Sequence, residues 1–232
     1  MNLNLYNFGT KYGGWTLPYN IDLNDKSIIY CVGAGEDISF DLLLSSKYNS
    51  NIFIIDPTKR AINHFDEIKN FYKTKKYLFT GNIQTDYKNC IVKLKPNFNK
   101  IFYIDKALWD EETKLRFYKQ NNPNYVSQTL IEGVFSDLYT MVETTTLEKI
   151  MKNNNHTHID LLKLDIEGAE IKILTNMIEK KIFPRYLCIE FDLFIKRKDK
   201  KNESNRILKK LIDIGYIILQ NNKFNITLKL NI

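Results

Sequence analysis

The sequence predicts an α/β fold built on parallel strands, and three observations support this prediction. Residues 27–60 and 159–191 each follow the order strand, turn, helix, strand. The strands in both stretches are short apolar runs without polar alternation, which is typical of parallel strands buried on both faces. The chain has 232 residues and no internal repeat or break in composition, so one domain with a substantial core accounts for it. We expect a lead-in at 1–26 that packs on the core, followed by a single domain at 27–232.

The first stretch has the features of a nucleoside-binding unit. A strand at 27–32 leads into a turn with Gly33 and Gly35, which let the backbone bend tightly and let a ligand come close. A helix follows, and then a second strand at 51–55. Asp56 ends that strand, at about the 20-residue spacing from the turn at which a carboxylate meets ribose hydroxyls. The pattern therefore predicts that a nucleoside binds here.

The charge of the turn favours one class of nucleoside cofactor. Glu36 and Asp37 occupy the helix N-terminus, where the pyrophosphate of a dinucleotide would be repelled by two negative charges. S-adenosylmethionine has no phosphate and carries a sulfonium and an ammonium group, so an acidic turn suits it better. The structural alternative is a plain glycine turn in which Glu36 and Asp37 serve only as helix caps.

The elements after this unit are predicted from apolar periodicity and turn residues. They are a helix at 58–73, strands at 101–104, 114–118 and 141–144, a helix at 147–152, strands at 159–164 and 186–191 with a helix from Glu167 or Gly168 between them, and a closing hairpin at 216–220 and 224–230. Residues 77–100 are expected to form a short strand, a turn near Gly81 and a short helix. Residues 121–133 are Asn-rich and typical of an exposed loop that reaches over a site.

Methyl transfer to a hydroxyl requires a base that takes its proton, and the candidates are carboxylates. Asp165 follows the strand at 159–164, and Glu190 lies at the end of the next strand. In an open α/β sheet these carboxyl ends bind ligands. His156 and His158 precede their strand and so belong to the opposite edge. We therefore predict Asp165 and Glu190 as the catalytic residues.

Two alternatives remain open for these acids. Oxygen-rich clusters suit Mg²⁺, so a divalent metal is an alternative that we do not favour, and we assign no metal ligands. A purely structural reading is that Asp165 and Glu167 cap the following helix while Lys163 pairs with one of them.

Three segments carry a family resemblance: VGAGEDISF at 32–40, DPTKRAI at 56–62 and LLKLDIEGAEIKIL at 161–174. They resemble the FkbM-type S-adenosylmethionine-dependent methyltransferases, over about residues 12–192. The resemblance implies a class I methyltransferase fold, Rossmann-like, with a seven-stranded, mostly parallel sheet and helices on both faces. It also implies O-methylation of sugars or other small-molecule hydroxyls. The domain at 27–232 is then a methyltransferase domain.

The resemblance further implies a set of cofactor contacts: Gly33, Gly35, Glu36 and Asp37 at the turn, Asp56 at the ribose with Pro57 beside it, and Asp105, Lys106 and Ala107 near the adenine. Asp165 and Glu190 would face the acceptor. The chain departs from many relatives at Asp37, where a further glycine is common. It also departs at Asp192, where many have a histidine after the glutamate.

We therefore predict an O-methyltransferase that uses S-adenosylmethionine and acts on a small-molecule hydroxyl, with a sugar of a glycan or glycan precursor as the leading acceptor. Methylation of RNA or protein is an alternative supported only by the formal charge of +7. An inactive binding module with the same fold is a third. The basic clusters at 73–76 and 196–201 do not interleave aromatic residues, so a nucleic-acid partner is not favoured.

The remaining expectations concern location. No apolar run approaches the roughly 20 residues of a membrane span, and the first residues lack the pattern of a secretory signal. The cysteines (Cys31, Cys90 and Cys188) are far apart in the sequence and are expected to be reduced. We predict a cytoplasmic protein without membrane contact. The oligomeric state is left open.

Overall fold

A computed structural model of the chain describes residues 4–77, 79–81, 83–191 and 201–231. Asp192 and most of the basic cluster at 196–201 lie outside these ranges. The described strands form three sheets, with two, seven and four strands.

The strands are β1 Leu5–Phe8, β2 Trp15–Pro18, β3 Ile28–Val32, β4 Asn51–Ile55, β5 Ile101–Ile104, β6 Ala107–Leu108, β7 Lys114–Lys119, β8 Gln128–Thr129, β9 Tyr139–Thr145, β10 Leu161–Leu164, β11 Tyr186–Glu190, β12 Tyr216–Asn221 and β13 Asn225–Leu230. The helices are α1 Ser39–Tyr48, α2 Lys59–Thr74, α3 Tyr87–Ile91, α4 Leu147–Asn153, α5 Glu170–Glu179 and α6 Lys201–Ile214, with a 3₁₀ turn at Phe98–Lys100.

The large sheet has the strand order β12-β13-β11-β10-β3-β4-β5. Its strand number and α/β class agree with the prediction, and the sheet is mixed. The neighbours from β11 to β5 pair in parallel, whereas β13 is antiparallel to both β11 and β12. From β3 the chain continues to β4 on one side and later returns through β10 on the other. Such a reversal of strand order leaves a crevice at the carboxyl ends of the two central strands.

The core lies on both faces of this sheet because successive strand residues point in opposite directions. On β3, Ile29 and Cys31 pack in a cluster with apolar residues of α1 and α2. Tyr30 and Val32 pack in a second cluster with residues of α4, α5 and α6. The helices are therefore divided between the two faces.

The N-terminal residues form the β1–β2 hairpin, which packs on the α1 side of the core. Phe8, Trp15 and Leu17 are buried there. The Thr227 hydroxyl donates to the Thr16 carbonyl (2.8 Å), which links the hairpin to β13.

Three parts of the chain differ from the sequence-based expectation. Within the described residues of 77–100 the expected short helix is present as α3, but the expected strand is not, and a 3₁₀ turn follows at Phe98–Lys100. Helix α5 begins at Glu170 instead of 167 or 168, because Glu167 and Gly168 adopt positive φ angles of 54° and 106° and form a turn. In the small sheet β6-β9-β7-β8, strands β7 and β9 agree with the strands predicted at 114–118 and 141–144, whereas β6, β8 and helix α6 were not anticipated.

His64 is a buried residue of α2 whose Nε2 lies 2.8 Å from the Tyr87 hydroxyl. Burial lowers the pKa of His64 from 6.5 to about 4. The folded protein therefore binds fewer protons at this site than the unfolded chain between these two pH values. Stability from the neutral imidazole is complete above pH 6.5 and is lost as the pH falls toward 4.

We expect the free energy of unfolding of wild type, relative to His64→Gln, to fall by about 2 kcal/mol between pH 7 and pH 5. Glutamine can still bond to Tyr87 but does not titrate, so the comparison isolates the imidazole. Urea denaturation of both proteins at the two pH values measures it. If the free energy of unfolding differs between wild type and His64→Gln by the same amount at both pH values, the assignment of the lowered pKa to His64 is wrong.

Candidate functional site

A cavity of about 250 Å³ lies at the carboxyl ends of the central strands, where the strand order reverses. Its lining comes from separate parts of the chain: Tyr12 and Gly13, residues 32–37, residues 55–58, Ala107 and Leu108, Phe117, residues 126–128, Leu130, Lys163, residues 165–167, Ala169 and Glu190. The predicted glycine turn, Asp56 and the two predicted catalytic acids are therefore brought together.

The two glycines of the turn serve different purposes. Gly33 has φ +81°, and a Cβ at this position would overlap the backbone carbonyl of Asp165. The absent side chain thus lets the end of β10 approach, which differs from the expected approach of a ligand. Gly35 has φ +53°, and a Cβ there would meet only Val126, at 3.4 Å. Gly35 is the position where the backbone faces the cavity and the segment that covers it.

Asp56 holds the glycine turn in place. One carboxylate oxygen accepts from the amides of Ala34 (2.8 Å) and Gly35 (3.1 Å). The other accepts from the amide and the hydroxyl of Thr58, both at 2.7 Å. An ionised carboxylate offers about four acceptor positions, so all of them are used. The predicted ribose contact of Asp56 would therefore require one of these donors to move, and the Thr58 hydroxyl is the one that is not a backbone amide.

Both acids of the turn line the cavity and are also bonded to other parts of the protein. Asp37 accepts from the Thr10 hydroxyl (2.5 Å) and from the Ser39 amide (3.0 Å). It therefore binds the first amide of α1 and anchors the N-terminal segment, and burial raises its pKa. Glu36 forms a two-point ion pair with Arg60, with distances of 2.9 and 2.5 Å.

Lys163 connects Asp165 to the glycine turn. Its ammonium donates to the Gly33 carbonyl (2.5 Å) and lies 3.5 Å from the Asp165 carboxylate. Burial alone would lower the pKa of Lys163, but the carboxylates of Asp165 and Asp41 raise it above the ordinary value. Lys163 is therefore a buried cation directly beneath the cavity. Asp165 and Glu190 both border the cavity and are partly exposed.

Glu170 has a structural role in the segment DIEGAE. Its carboxylate accepts from the amides of Ile166 (2.8 Å) and Gly168 (2.9 Å), and it is buried. It fixes the turn that brings Glu167 to the cavity wall. Burial raises the pKa of Glu170 to about 8.

The three residues predicted near the adenine are not all at the cavity. Ala107 lines it and is buried, because β6 pairs with β9 and turns this residue inward. Asp105 is exposed, and Lys106 pairs with Glu143 on β9 at 3.1 Å. Neither is among the lining residues, so an adenine contact by these two stays a prediction. Pro57 does line the cavity.

The loop at 121–133, which the sequence predicted to reach over a site, lines the cavity with residues 126–128. Tyr12 also lies at the cavity wall, and the neighbouring Gly13 is packed against the Asp37 side chain. Sequence reasoning missed Arg60, which contacts Glu36 through the ion pair described above. Arg60 lies inside the segment DPTKRAI, four residues after Asp56, and this spacing was the available signal.

Within the described part of the chain, no group of three or more His, Cys, Asp or Glu side chains is arranged to hold a metal ion. Over the same residues, no helix is both long and apolar enough to cross a membrane.

Comparison with known proteins identifies a family. The family described as "Methyltransferase FkbM domain" matches residues 29–218. A search of curated proteins finds no match.

Three solved structures match the chain at low sequence identity. A putative rRNA methylase from Clostridium thermocellum has 12% identity and a TM-score of 0.45, covering 90% of this chain and 89% of that one. A fibrillarin/Nop5p complex has 10% identity and a TM-score of 0.43, with 89% and 72% covered. A methyltransferase from Pyrococcus furiosus has 11% identity and a TM-score of 0.37, with 89% and 75% covered.

The contact between Gly33 and Asp165 predicts a difference between two glycine substitutions. Gly133 has a similar φ of +74°, but nothing lies within 4 Å of its Cβ position. We expect Gly133→Ala to destabilise by about 1–2 kcal/mol, through backbone conformation alone. Gly33→Ala should cost about 1–3 kcal/mol more, because the new methyl group must displace β10. Urea denaturation of both variants measures the two losses in free energy of unfolding. Equal losses would show that the close approach of Gly33 to the Asp165 backbone is not required.

Proposed function

Because the chain belongs to the FkbM methyltransferase family, we propose that it is an S-adenosylmethionine-dependent O-methyltransferase whose acceptor is a sugar hydroxyl of a glycan or glycan precursor. The observation that carries this proposal is the single cavity that unites the glycine turn with Asp165 and Glu190.

The cavity residues suit S-adenosylmethionine as the methyl donor. Six carboxylates line the cavity within the described residues (Glu36, Asp37, Asp56, Asp165, Glu167 and Glu190), against one lysine, Lys163. A ligand with a sulfonium and an ammonium group is favoured in such surroundings, because opposite charges attract more strongly in a partly desolvated cavity. The cofactor supplies a methyl group that is already activated for transfer.

The chain supplies alignment and proton removal. Asp165 and Glu190 end adjacent parallel strands, and either carboxylate can accept the proton of an acceptor hydroxyl. Lys163 fixes the position of Asp165 relative to the glycine turn through its bonds to both. Tyr12 and residues 126–128 border the cavity and limit the access of water to it.

The local charge separates this proposal from RNA methylation. The protein has a net charge of +7, but the cavity lining is acidic and would repel a phosphate next to the reacting group. A neutral sugar meets no such penalty. We further propose a cytoplasmic enzyme that works without a bound metal and needs no nucleic-acid or membrane partner.

Titration calorimetry tests the donor site. We expect S-adenosylmethionine and S-adenosylhomocysteine to bind the wild-type protein. Gly35→Val should lose this binding, because a branched side chain is strained at φ +53° and points toward Val126 across the cavity. Circular dichroism confirms that the variant is folded. Absence of binding of either compound to wild type at high micromolar concentration would remove the proposed function.

Replacement of the proposed base separates binding from turnover. Asp165→Asn should keep the affinity for S-adenosylhomocysteine within a few-fold and reduce the rate of methyl transfer by about 10²–10⁴-fold. The readout is mass spectrometry of methyl transfer from labelled cofactor into a panel of nucleotide sugars and glycan fragments. Asp213→Asn, at an exposed position of α6, is the matched control. A fully active Asp165→Asn would refute the assignment of the base, and labelling confined to an RNA or a protein would refute the sugar acceptor.

A further inference from the structure

Residues 123–128, here named the cover, reach the cavity through residues 126–128, and their outer part is bonded to the side chain of Arg60. Arg60, in the first turn of α2, donates from Nη1 to the carbonyls of Pro123 (2.9 Å), Asn124 (3.3 Å) and Tyr125 (3.2 Å). Nη2 adds a second bond to Asn124 (3.3 Å). Three successive carbonyl groups of the cover thus converge on one guanidinium group.

The other edge of the same guanidinium group binds the glycine turn. Arg60 Nε and Nη2 pair with the two carboxylate oxygens of Glu36, whose side chain is 8% exposed. A guanidinium group is planar and presents five donors in a fixed fork. Arg60 therefore sets the distance between the turn and the cover, which a flexible lysine cannot do.

The cover lies directly on the part of the site where the donor is proposed to bind. Val126, Ser127 and Gln128 line the cavity, and a Val126 methyl lies 3.4 Å from the Cβ position of Gly35. The cavity volume is about 250 Å³, whereas ligand pockets usually measure about 300–1,000 Å³. In a cavity of this size, the position of the cover affects how much room a donor and an acceptor have.

We infer that Arg60 is a positioning residue of the donor site: it tethers the cover to Glu36, so that the cover closes over the bound donor and Glu36 keeps its orientation. This inference rests on the proposed function for the identity of the donor. The tether itself is a property of the described contacts and does not depend on the acceptor.

The test compares Arg60→Gln and Arg60→Lys with Lys59→Gln, which removes a positive charge from the adjacent, exposed position of α2. Hydrogen–deuterium exchange reports the opening of residues 121–128, with peptides from β3 and β10 as internal references. Calorimetry with S-adenosylhomocysteine reports the donor site. Neither readout requires knowledge of the acceptor.

Charge-assisted hydrogen bonds of this kind predict, for Arg60→Gln, about tenfold faster exchange in the cover and about tenfold weaker binding of S-adenosylhomocysteine. Arg60→Lys keeps a positive charge beside Glu36 but cannot bond to both sides, so its cover should also exchange faster. Lys59→Gln should match wild type in both measurements. If Arg60→Gln speeds exchange throughout the protein, the variant has lost overall stability. The exchange rate in the cover of Arg60→Lys then tests the tether.

Unchanged exchange in the cover of the Arg60 variants would overturn the tether. Faster exchange with an unchanged affinity for S-adenosylhomocysteine would overturn the positioning role. Failure of the wild-type protein to bind S-adenosylhomocysteine would instead refute the proposed function, and the exchange comparison without ligand would still report on the tether.

Discussion

The buried ammonium group of Lys163 is the interaction on which the rest of the site depends. Burying a charge is costly unless it is paired and hydrogen-bonded, and here the partners are the Gly33 carbonyl and the Asp165 carboxylate. These partners belong to the ends of β3 and β10, the strands between which the strand order reverses. Satisfying one lysine therefore fixes the glycine turn relative to Asp165. The close packing of Gly33 on the Asp165 backbone reinforces the same contact.

The acidic residues around this contact form two groups with different contacts. Asp56, Asp37 and Glu170 accept hydrogen bonds from backbone amides and so hold the turns that surround the cavity. Asp165 and Glu190 end their strands with partly exposed side chains at the cavity. The first group therefore fixes the positions of the turns next to Asp165 and Glu190, and the proposed role of these two as proton acceptors would require such fixed positions.

The sequence predicted the parallel core well because each buried strand is a local apolar run, as in β3, β4, β10 and β11. In the small sheet it predicted β7 and β9 but not β6 and β8, since these have two residues each and pair with other segments of the chain. The same limit applied at the site. The position of Asp56 followed from spacing, but its four bonds to the turn and to Thr58 did not. The role of Arg60 was hidden because its partners in the cover lie more than 60 residues away.

The net charge of the protein is +7, which would favour anionic ligands, whereas the lining of the cavity is acidic. For a ligand inside the cavity, the charge of the lining has the larger effect. Much of the positive charge is carried by lysines at exposed positions, such as Lys59, where solvent and salt screen it beyond about 10 Å. The carboxylates of the cavity lie in partly desolvated surroundings, where their field is focused on whatever enters. Arg60 and Lys163 balance part of that charge from behind, at Glu36 and Asp165. The remaining negative charge faces the cavity, and this is the local property on which the proposal of a cationic donor and a neutral acceptor rests.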